Sequence, residues 1–512
     1  MTCDPAAEQV RFCPASSRLI AASPPARGAR LDRCLHPLIA FLLLLAGVAP
    51  VSKAARGEAS PPNIVVILAD DLGYGDLSCF GQQHFQTPRL DQMAQEGMKL
   101  TAHYSASPVC LPARYSMLTG LHQGSAYIRG NRWQLSMRPN PLDLTVATLL
   151  KNAGYRTALV GKSGVGHDDD PQIVLDKGFD HFFGYTSHGA AHRQFPPTLW
   201  RGTEEMTVDG NNGYTGEQYG GDLFVEDAIR FVEAHVREQE DSPFFLQLSL
   251  TQPHPDLAAP PEYLERFRGT FDEPPVNEQA RQRFQRRQQG YLFTETPMAD
   301  YAAMIAWTDD AVGKVLDALD EAGVGDNTLV IFTSDNGPPR EGLADPAYHD
   351  SNGVYRGWKR DVYEGGIRVP TIVRWPARVQ AGTASDTPSY FPDYLPTFCE
   401  AAGVDAPSGI DGLSFLPTLT GDGKQDVHAY LYWEFHEQGG KQALRRGAWK
   451  VVRLNVRDDP DGPVELYNLR DDPAEEEDLA AEHPGLAAEL RAVLDAARRP
   501  SDDWRFGAKE DD

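Results

Sequence analysis

The sequence is poor in cysteine, with six cysteines in 512 residues. Three of them fall within the first 54 residues, which leaves Cys79, Cys110 and Cys399 in the rest of the chain. Three cysteines exclude a disulfide framework of the kind that holds small secreted domains together. A bridge between Cys79 and Cys399 would leave Cys110 as the odd thiol, and the sequence does not decide whether that bridge forms.

Positive charge is also scarce, because 48 Lys and Arg residues face 73 Asp and Glu residues, for a formal net charge of −25. Such an acidic surface argues against nucleic acid as a partner. If the substrate is an anion, a local group of cations must outweigh the general field. The composition, 41% hydrophobic and 24% charged, is that of a globular protein with room for a large core and two domains.

Long apolar runs are missing as well. The run at residues 38–49 is too short to cross a bilayer, and it fits the hydrophobic part of a signal peptide. Arg30 and Arg33 precede it, and Ser52-Lys53-Ala54 offers a cleavage site of small residues. We therefore predict a signal peptide over residues 1–54 and export to the periplasm or the medium. No cysteine follows closely enough for a lipid attachment, so no stable membrane anchor is expected.

Buried strands alternate with helices over residues 60–423. The pattern predicts strands at 63–71, 156–160, 243–250 and 328–333, and helices at 88–97, 144–153, 222–236 and 300–322. This order is typical of an α/β fold with a mainly parallel central sheet sandwiched by helices. From residue 424 to 512 the pattern indicates a smaller α+β domain. We predict antiparallel strands at 428–435, 448–454 and 465–469, followed by a helix at 484–497. The acidic run at 475–478 is predicted to be the solvated start of a helix.

Polar residues follow four of the predicted strands. They are Asp70-Asp71, Lys162, His254 and Asp335-Asn336. Because ligands bind at the carboxyl ends of strands in open α/β sheets, we expect these side chains to meet at one edge. Three carboxylates and an amide oxygen form a hard donor set, suited to Ca²⁺ or Mg²⁺ and poorly suited to zinc. A single Asp at a strand end is more often a helix cap, but two such pairs favour a metal site.

Residues 108–122 contain the pattern Cys110-x-Pro112-x-Arg114, followed by Leu118-Thr119-Gly120. On a helix starting near Pro112, Cys110 and Arg114 share a face, since they are four residues apart. Unpaired N–H groups at a helix N-terminus attract anions, so the segment is interpreted as a nucleophile in an anion site. A buried core cysteine is the competing interpretation.

Arg114, Lys162 and Lys359 are the candidate cations for an anionic substrate. Each Lys alone is more often a surface charge, but together they could neutralise charge that builds up in a transition state. The segment 363–370, with its double glycine, is predicted to form a tight turn before a strand and to order the Lys359 loop.

These motifs, in this order, resemble the formylglycine-dependent sulfatases of the alkaline phosphatase superfamily. The resemblance rests on Asp-Asp, Cys-x-Pro-x-Arg, Gly-Lys, Pro-His, Asp-Asn-Gly, Arg-Gly-x-Lys and Glu-Gly-Gly-Ile-Arg-Val-Pro, and it covers nearly all of the chain after the signal peptide. It implies an alkaline phosphatase-like large domain over 60–423. It also implies that a separate formylglycine-generating enzyme oxidises Cys110 to an aldehyde, whose hydrate is the nucleophile.

The resemblance also implies a role for each site residue. Arg114 would steady the formylglycine, Lys162 and Lys359 would contact sulfate, and His254 would bind sulfate or protonate the leaving group. Ca²⁺, with Mg²⁺ less favoured, would be held by Asp70, Asp71, Asp335, Asn336 and the modified Cys110.

The implied reaction is hydrolysis of an aryl or carbohydrate sulfate ester with release of inorganic sulfate. Attack on sulfur sulfates one of two geminal oxygens, and loss of a proton from the other expels sulfate and restores the aldehyde. Two alternatives stay open: a phosphonate or phosphate monoester hydrolase of the same fold, and a non-catalytic protein that binds sulfated glycans.

One motif departs from the family. After the Lys162 strand the family commonly has Gly-Lys-x-His, whereas this chain has Gly161-Lys162-Ser163-Gly164. His167 or His192 could replace the missing base, and His192 is favoured. The basic segment 280–287 could grip a sulfated polysaccharide or form a solvated helix face, and Trp433, Phe435 and His436 could line the cleft or pack it.

Overall fold

The computed structural model describes residues 60–131, 135–166, 170–238, 242–287 and 290–506. The predicted signal peptide and His167 lie outside these ranges. The strands are β1 Asn63–Asp70, β2 Met98–Leu100, β3 His103–Tyr104, β4 Arg156–Lys162, β5 His181–Tyr185, β6 Thr198–Arg201, β7 Glu204–Thr207, β8 Phe244–Pro253, β9 Thr328–Ser334, β10 Thr371–Arg374, β11 Thr383–Ser385, β12 Ser389–Tyr390, β13 Leu431–Phe435, β14 Lys441–Arg446, β15 Trp449–Leu454 and β16 Glu465–Asn468.

The helices cover both sides of the main sheet and the outer side of a smaller one. They are α1 Pro88–Glu96, α2 Cys110–Thr119, α3 Val146–Asn152, α4 Gln172–Asp176, α5 Gly220–Glu238, α6 Pro261–Phe267, α7 Glu278–Arg287, α8 Pro297–Glu321, α9 Glu364–Ile367, α10 Tyr394–Ala401, α11 Leu416–Thr420 and α12 Pro484–Ala497. Among these described helices, none combines the length and apolar character that crossing a membrane requires.

The main sheet has ten strands in the order β11-β2-β10-β9-β1-β8-β4-β5-β6-β7. Its five central strands, from β9 to β5, are parallel, and antiparallel pairs flank them on both sides. The predicted α/β class with a mainly parallel sheet is therefore confirmed. The parallel centre matters for function because all five strands end at the same edge.

The apolar run of β1 is buried on both faces. Its alternate residues Val65 and Ile67 pack into a core that includes α1, α5 and α8, whereas Ile64 and Val66 pack into a second core with α2, α3 and α10. Side chains on a strand alternate between faces, so a continuous apolar run fits a sheet covered on both sides. This burial holds the polar residues after β1 in a fixed place.

The C-terminal sheet is antiparallel, in the order β13-β14-β15-β16. Trp433 and Val452 on one face share a core with Tyr104 and Val109, next to α2, and the other face is covered by α12. The predicted smaller antiparallel sheet is confirmed, while the boundary at residues 423/424 stays a prediction.

Three local predictions were wrong. Helix α2 begins at Cys110 and not near Pro112, since Val109 is extended and its carbonyl accepts the N–H of Ala113. Residues 475–478 do not begin a helix, because Glu475 is buried with a φ of 54° and its carboxylate binds Lys450 at 2.9 Å. Residues 364–367 form the short helix α9 instead of a tight turn.

Candidate active site

The polar residues after β1 and β9 lie side by side at the carboxyl edge of the sheet. Because Ala69 is in register with Ser334, the two pairs that follow are brought together. Asn336 Nδ2 donates to Asp71 Oδ1 at 2.7 Å, and the backbone N–H of Asp71 donates to Asp335 Oδ1 at 3.1 Å. The strand-end pattern predicted this convergence.

Two oxygen atoms in this cluster have the character of metal ligands. Asp70 Oδ1 and Asn336 Oδ1 are buried, and neither has a hydrogen-bond partner among the described residues. A buried oxygen without a partner is costly, and a hard cation would satisfy both. Atoms of Asp70, Cys110 and Asp335 also lie within 4.8 Å of one another.

The crowding of carboxylates shifts their proton affinities. Burial, with the negative charge of Asp70 added to it, raises the pKa of Asp335 to about 7. Burial likewise raises the pKa of Asp71 to about 6, although the Lys359 ammonium opposes the shift. A bound divalent cation would hold both groups ionised. The donor set fits Ca²⁺ or Mg²⁺ as expected from its chemistry.

Cys110 is the first residue of α2 and is fully buried. Its Sγ lies 3.0 Å from His188 Nε2 and 3.7 Å from Asn131 Nδ2. Burial raises the pKa of the thiol to about 12, although Lys162 lowers it. The unmodified thiol is therefore neutral at physiological pH and a poor nucleophile, since the reactive form is the thiolate.

Arg114 follows Cys110 by one helical turn and is fully buried. Its Nε donates to Asp335 Oδ2 at 2.8 Å, its Nη2 forms an ion pair with the same oxygen at 2.7 Å, and its Nη1 donates to the carbonyl of Lys162 at 3.0 Å. One guanidinium therefore ties α2 to the ends of β9 and β4.

Both candidate lysines reach the cluster. Lys162 Nζ donates to Asp70 Oδ2 at 2.6 Å, and Lys359 Nζ donates to Asp71 Oδ2 at 2.8 Å. Lys359 also bonds Glu341 Oε2 at 2.6 Å. Two buried ammonium groups beside an acidic cluster give this edge the local cations that an anionic substrate needs.

His254 accepts a hydrogen bond from Lys359 Nζ, with Nε2 at 3.1 Å. Since an ammonium only donates, Nε2 carries a lone pair, and Nδ1 bonds the Pro255 carbonyl. Burial, together with the positive charge of Lys359, lowers the pKa of His254 to about 3. The ring of His192 stacks on that of His254, with centroids 4.3 Å apart.

Three site residues were missed in the sequence. His188 and Asn131 contact Cys110, and Glu341 contacts Lys359. The rule that found Lys162 would have found His188, which comes three residues after β5, but β5 was not predicted. Asn131 lies in a loop with no signal in its spacing.

The remaining candidate residues pack in the core or lie on the surface. Trp433 and Phe435 are buried, and Trp433 Nε1 donates to the Ser105 carbonyl at 2.8 Å. In α7, Arg281 pairs with Glu295 at 3.0 Å across an exposed surface, which fits a solvated face. Cys79 and Cys399 are free thiols, so the bridge between them is not formed.

Two family models match the sequence. The model described as Sulfatase matches residues 62–404, and the model described as N-sulphoglucosamine sulphohydrolase, C-terminal, matches residues 353–499. Together these matches span the ten-stranded sheet and the four-stranded C-terminal sheet.

Curated relatives include N-acetylgalactosamine-6-sulfatase of Rattus norvegicus, 34% identical over 76% of this chain and 71% of the relative. Steryl-sulfatase of Mus musculus is 30% identical over 90% of this chain and 84% of the relative. The solved structure of Ps i-CgsB superposes with a TM-score of 0.71 at 26% identity, over 88% of this chain and 94% of that chain. A phosphonate monoester hydrolase of Agrobacterium radiobacter, at a TM-score of 0.61 and 21% identity over 85% of this chain and 95% of that chain, shares the fold.

Proposed function

This chain belongs to the sulfatase family of the alkaline phosphatase superfamily and is a sulfuric ester hydrolase, and from that premise we propose that it acts through a formylglycine made from Cys110 and a bound calcium ion. The substrate is an aryl or carbohydrate sulfate ester, and inorganic sulfate is the product. A formylglycine-generating enzyme is the maturation partner.

The observation that carries this proposal is the position of Cys110. Its Sγ lies within 4.8 Å of carboxylate oxygens of Asp70 and Asp335, in a cluster with two buried oxygens that no described residue hydrogen-bonds. A core cysteine has no reason to face two carboxylates. A modified side chain that is itself a metal ligand and the nucleophile accounts for the arrangement.

Calcium, held by Asp70, Asp71, Asp335, Asn336 and residue 110, would lower the pKa of the nucleophile and offset charge on the sulfate. The oxygen donors favour Ca²⁺ over zinc, and Ca²⁺ demands a less regular arrangement of ligands than Mg²⁺ does. Ser105 supports the cluster, since its Oγ donates to the Asp335 carbonyl at 2.6 Å.

The cations position the sulfate and stabilise its developing charge. Lys162 holds the Asp70 carboxylate and keeps further N–H donors for sulfate oxygens. Lys359 directs its three N–H donors at Asp71, Glu341 and His254, and it would act on sulfate through its charge. Arg114 keeps residue 110 in place through α2. His254, with its Nε2 beside Lys359 Nζ, is placed to bind sulfate or to serve the leaving oxygen.

A comparison of substrates tests this function. Purified protein should turn over an aryl sulfate at least about tenfold better than the matched aryl phosphonate. A preference for the phosphonate would favour the monoester hydrolase alternative. Binding of sulfated glycans without sulfate release from a broad panel would favour the non-catalytic alternative.

The names of the relatives suggest a substrate class for this protein. N-acetylgalactosamine-6-sulfatase is named for a sulfated sugar and steryl-sulfatase for a sulfated sterol. We infer that a sulfated carbohydrate or small molecule is bound, that the protein is exported by its signal peptide, and that residues 60–423 form the catalytic domain and 424–512 a subdomain.

A further inference from the structure

The loop after β4 cannot carry the histidine that the resemblance leads one to expect. Gly164 has a φ of 68°, and a Cβ built on it would lie 2.6 Å from Arg114 Cδ and 3.0 Å from Arg114 Cβ. Arg114 is fixed by its bonds to Asp335 and Lys162, so it cannot move aside cheaply. The position is closed to any side chain, and the base must come from elsewhere.

His188 fills the space on the other side of residue 110. It follows β5, which pairs in parallel with β4, and Lys162 is in register with Tyr185. The loop after β5 thus reaches the same edge as the loop after β4. His188 Nε2 lies 3.0 Å from Cys110 Sγ, and Sγ stands for an oxygen on the same Cβ after conversion to the hydrated aldehyde.

Asn131 fixes which proton state His188 presents. Asn131 Oδ1 accepts the N–H of Leu111 at 3.1 Å, so its amide nitrogen must face His188. Asn131 Nδ2 lies 3.2 Å from His188 Nε2, and an amide NH₂ only donates. His188 Nε2 is therefore an acceptor, and it is the ring nitrogen nearer to residue 110, since Sγ lies 3.0 Å from Nε2 and 3.6 Å from Nδ1.

We propose that His188 is the catalytic base that releases sulfate from residue 110, with Asn131 as its positioning residue. The inference rests on the proposed formylglycine function. It assigns to a loop histidine after β5 the part that a histidine at position 164 would play.

The step balances without any further reactant. His188 Nε2 takes the proton of the unsulfated hydroxyl on residue 110, and the electron pair of that O–H bond becomes the second carbon–oxygen bond of the aldehyde. The bond from the same carbon to the sulfate oxygen breaks, and sulfate leaves with that electron pair. Water then adds to the aldehyde, and His188 returns its proton to solvent.

The test uses His188→Ala and His188→Gln with a chromogenic aryl sulfate. Without the base, the enzyme should release about one equivalent of phenol per site and then turn over at least about a hundredfold more slowly than wild type. The 108–122 peptide should carry trapped sulfate, which mass spectrometry detects. In wild type the same peptide should be modified but not sulfated.

Three matched variants sharpen the result. His192→Ala should trap no sulfate, whatever its turnover rate, and His483→Ala, an exposed histidine far along the chain at α12, should behave as wild type. Asn131→Asp keeps the acceptor for Leu111 N–H but loses the donor to His188, so we expect partial trapping.

Several results would overturn the inference. They are turnover of His188→Ala within about threefold of wild type, trapping in His192→Ala but not in the His188 variants, or a modified 108–122 peptide with neither a phenol burst nor sulfate. Loss of the modification in both His188 variants would also overturn it, because His188 would then serve maturation. If wild type itself lacked the modification, the proposed function would fail instead.

Discussion

Arg114 shows how one buried side chain sets the geometry of the site. Its two hydrogen bonds and its ion pair with Asp335 join α2, β9 and β4, and both it and Asp335 are fully buried. A carboxylate left without its partner in such a place retains its desolvation cost. The residue therefore determines both stability and the position of residue 110.

Arg114→Met should lower the free energy of unfolding by roughly 3–5 kcal/mol, since it leaves Asp335 unpaired. Chemical denaturation measures this. Arg89→Met removes an exposed ion pair with Asp317 and should cost no more than about 1 kcal/mol. Equal costs for the two variants would contradict the structural role of Arg114.

Gly164 and Gly154 form a matched pair for the contact with Arg114. Both have positive φ, 68° and 91°, but a Cβ at Gly154 meets no atom within 4 Å. Gly154→Ala should cost about 1 kcal/mol from backbone strain alone, and Gly164→Ala about 1–3 kcal/mol more from overpacking. Thermal denaturation compares them. Indistinguishable melting temperatures would show that position 164 has room for a side chain.

Single residues also mark the limit of what sequence predicts. Asp70, Lys162 and Asp335 were found because each directly follows a buried apolar strand, and sheet topology then brings them together. His188 and Asn131 were missed because they lie in loops whose paths depend on tertiary contacts. The reactivity of Cys110 was also beyond the sequence, since burial outweighs the helix N-terminus that would have favoured the thiolate.

At the scale of elements, the long apolar strands of the sheet centre were predicted, whereas several short or charged strands were not. The apolar run of β1 predicts a strand, whereas the charged sequence of β14, Lys441–Arg446, does not. It is a strand because its neighbours β13 and β15 supply hydrogen bonds on both sides. The acidic segment 475–478 was wrongly predicted to start a solvated helix for a related reason. Glu475 is buried against Lys450, and the sequence spacing does not indicate this contact.

Glu475 links the C-terminal sheet to α9. Its carboxylate accepts a hydrogen bond from the Glu364 N–H at 2.6 Å and forms an ion pair with Lys450 at 2.9 Å. Burial raises the pKa of Glu475 from 4.5 to about 7, although Lys450 opposes the shift. A raised pKa means that the folded state retains a proton that the unfolded state has already lost. Stability from this group is therefore present below pH 4.5 and lost as pH rises through about 7.

Glu475→Gln cannot ionise, so its stability should not fall over this window. The difference in unfolding free energy between variant and wild type should shift in favour of the variant by on the order of 2 kcal/mol from low to neutral pH. Denaturation at a series of pH values measures that slope. Glu476→Gln, at an exposed neighbour, should follow wild type, and parallel curves for all three proteins would refute the buried titration.

At the scale of the whole molecule, the site places a local group of positive charges in a protein whose net charge is negative. A chain of net charge −25 carries at the edge of its sheet a cation cluster and three carboxylates that fit a divalent ion. Because the proposed Ca²⁺ site is assembled only in the folded state, Ca²⁺ should stabilise the protein by mass action.

Calcium at a hundred times its dissociation constant should add about 2.7 kcal/mol of stability over chelator-treated protein. Scanning calorimetry with and without Ca²⁺ measures the gain, and Asp335→Asn should lose most of it. A gain that survives in Asp335→Asn would place the ion elsewhere.

The central claim is that residue 110, once modified, is the nucleophile. The most direct test is mass spectrometry of the 108–122 peptide from protein whose aryl sulfatase rate is measured on the same sample, beside Cys110→Ala. We predict formylglycine at residue 110 in active protein, and no sulfate release by a folded Cys110→Ala variant. Full activity with an unmodified thiol, or with alanine at residue 110, would contradict the account.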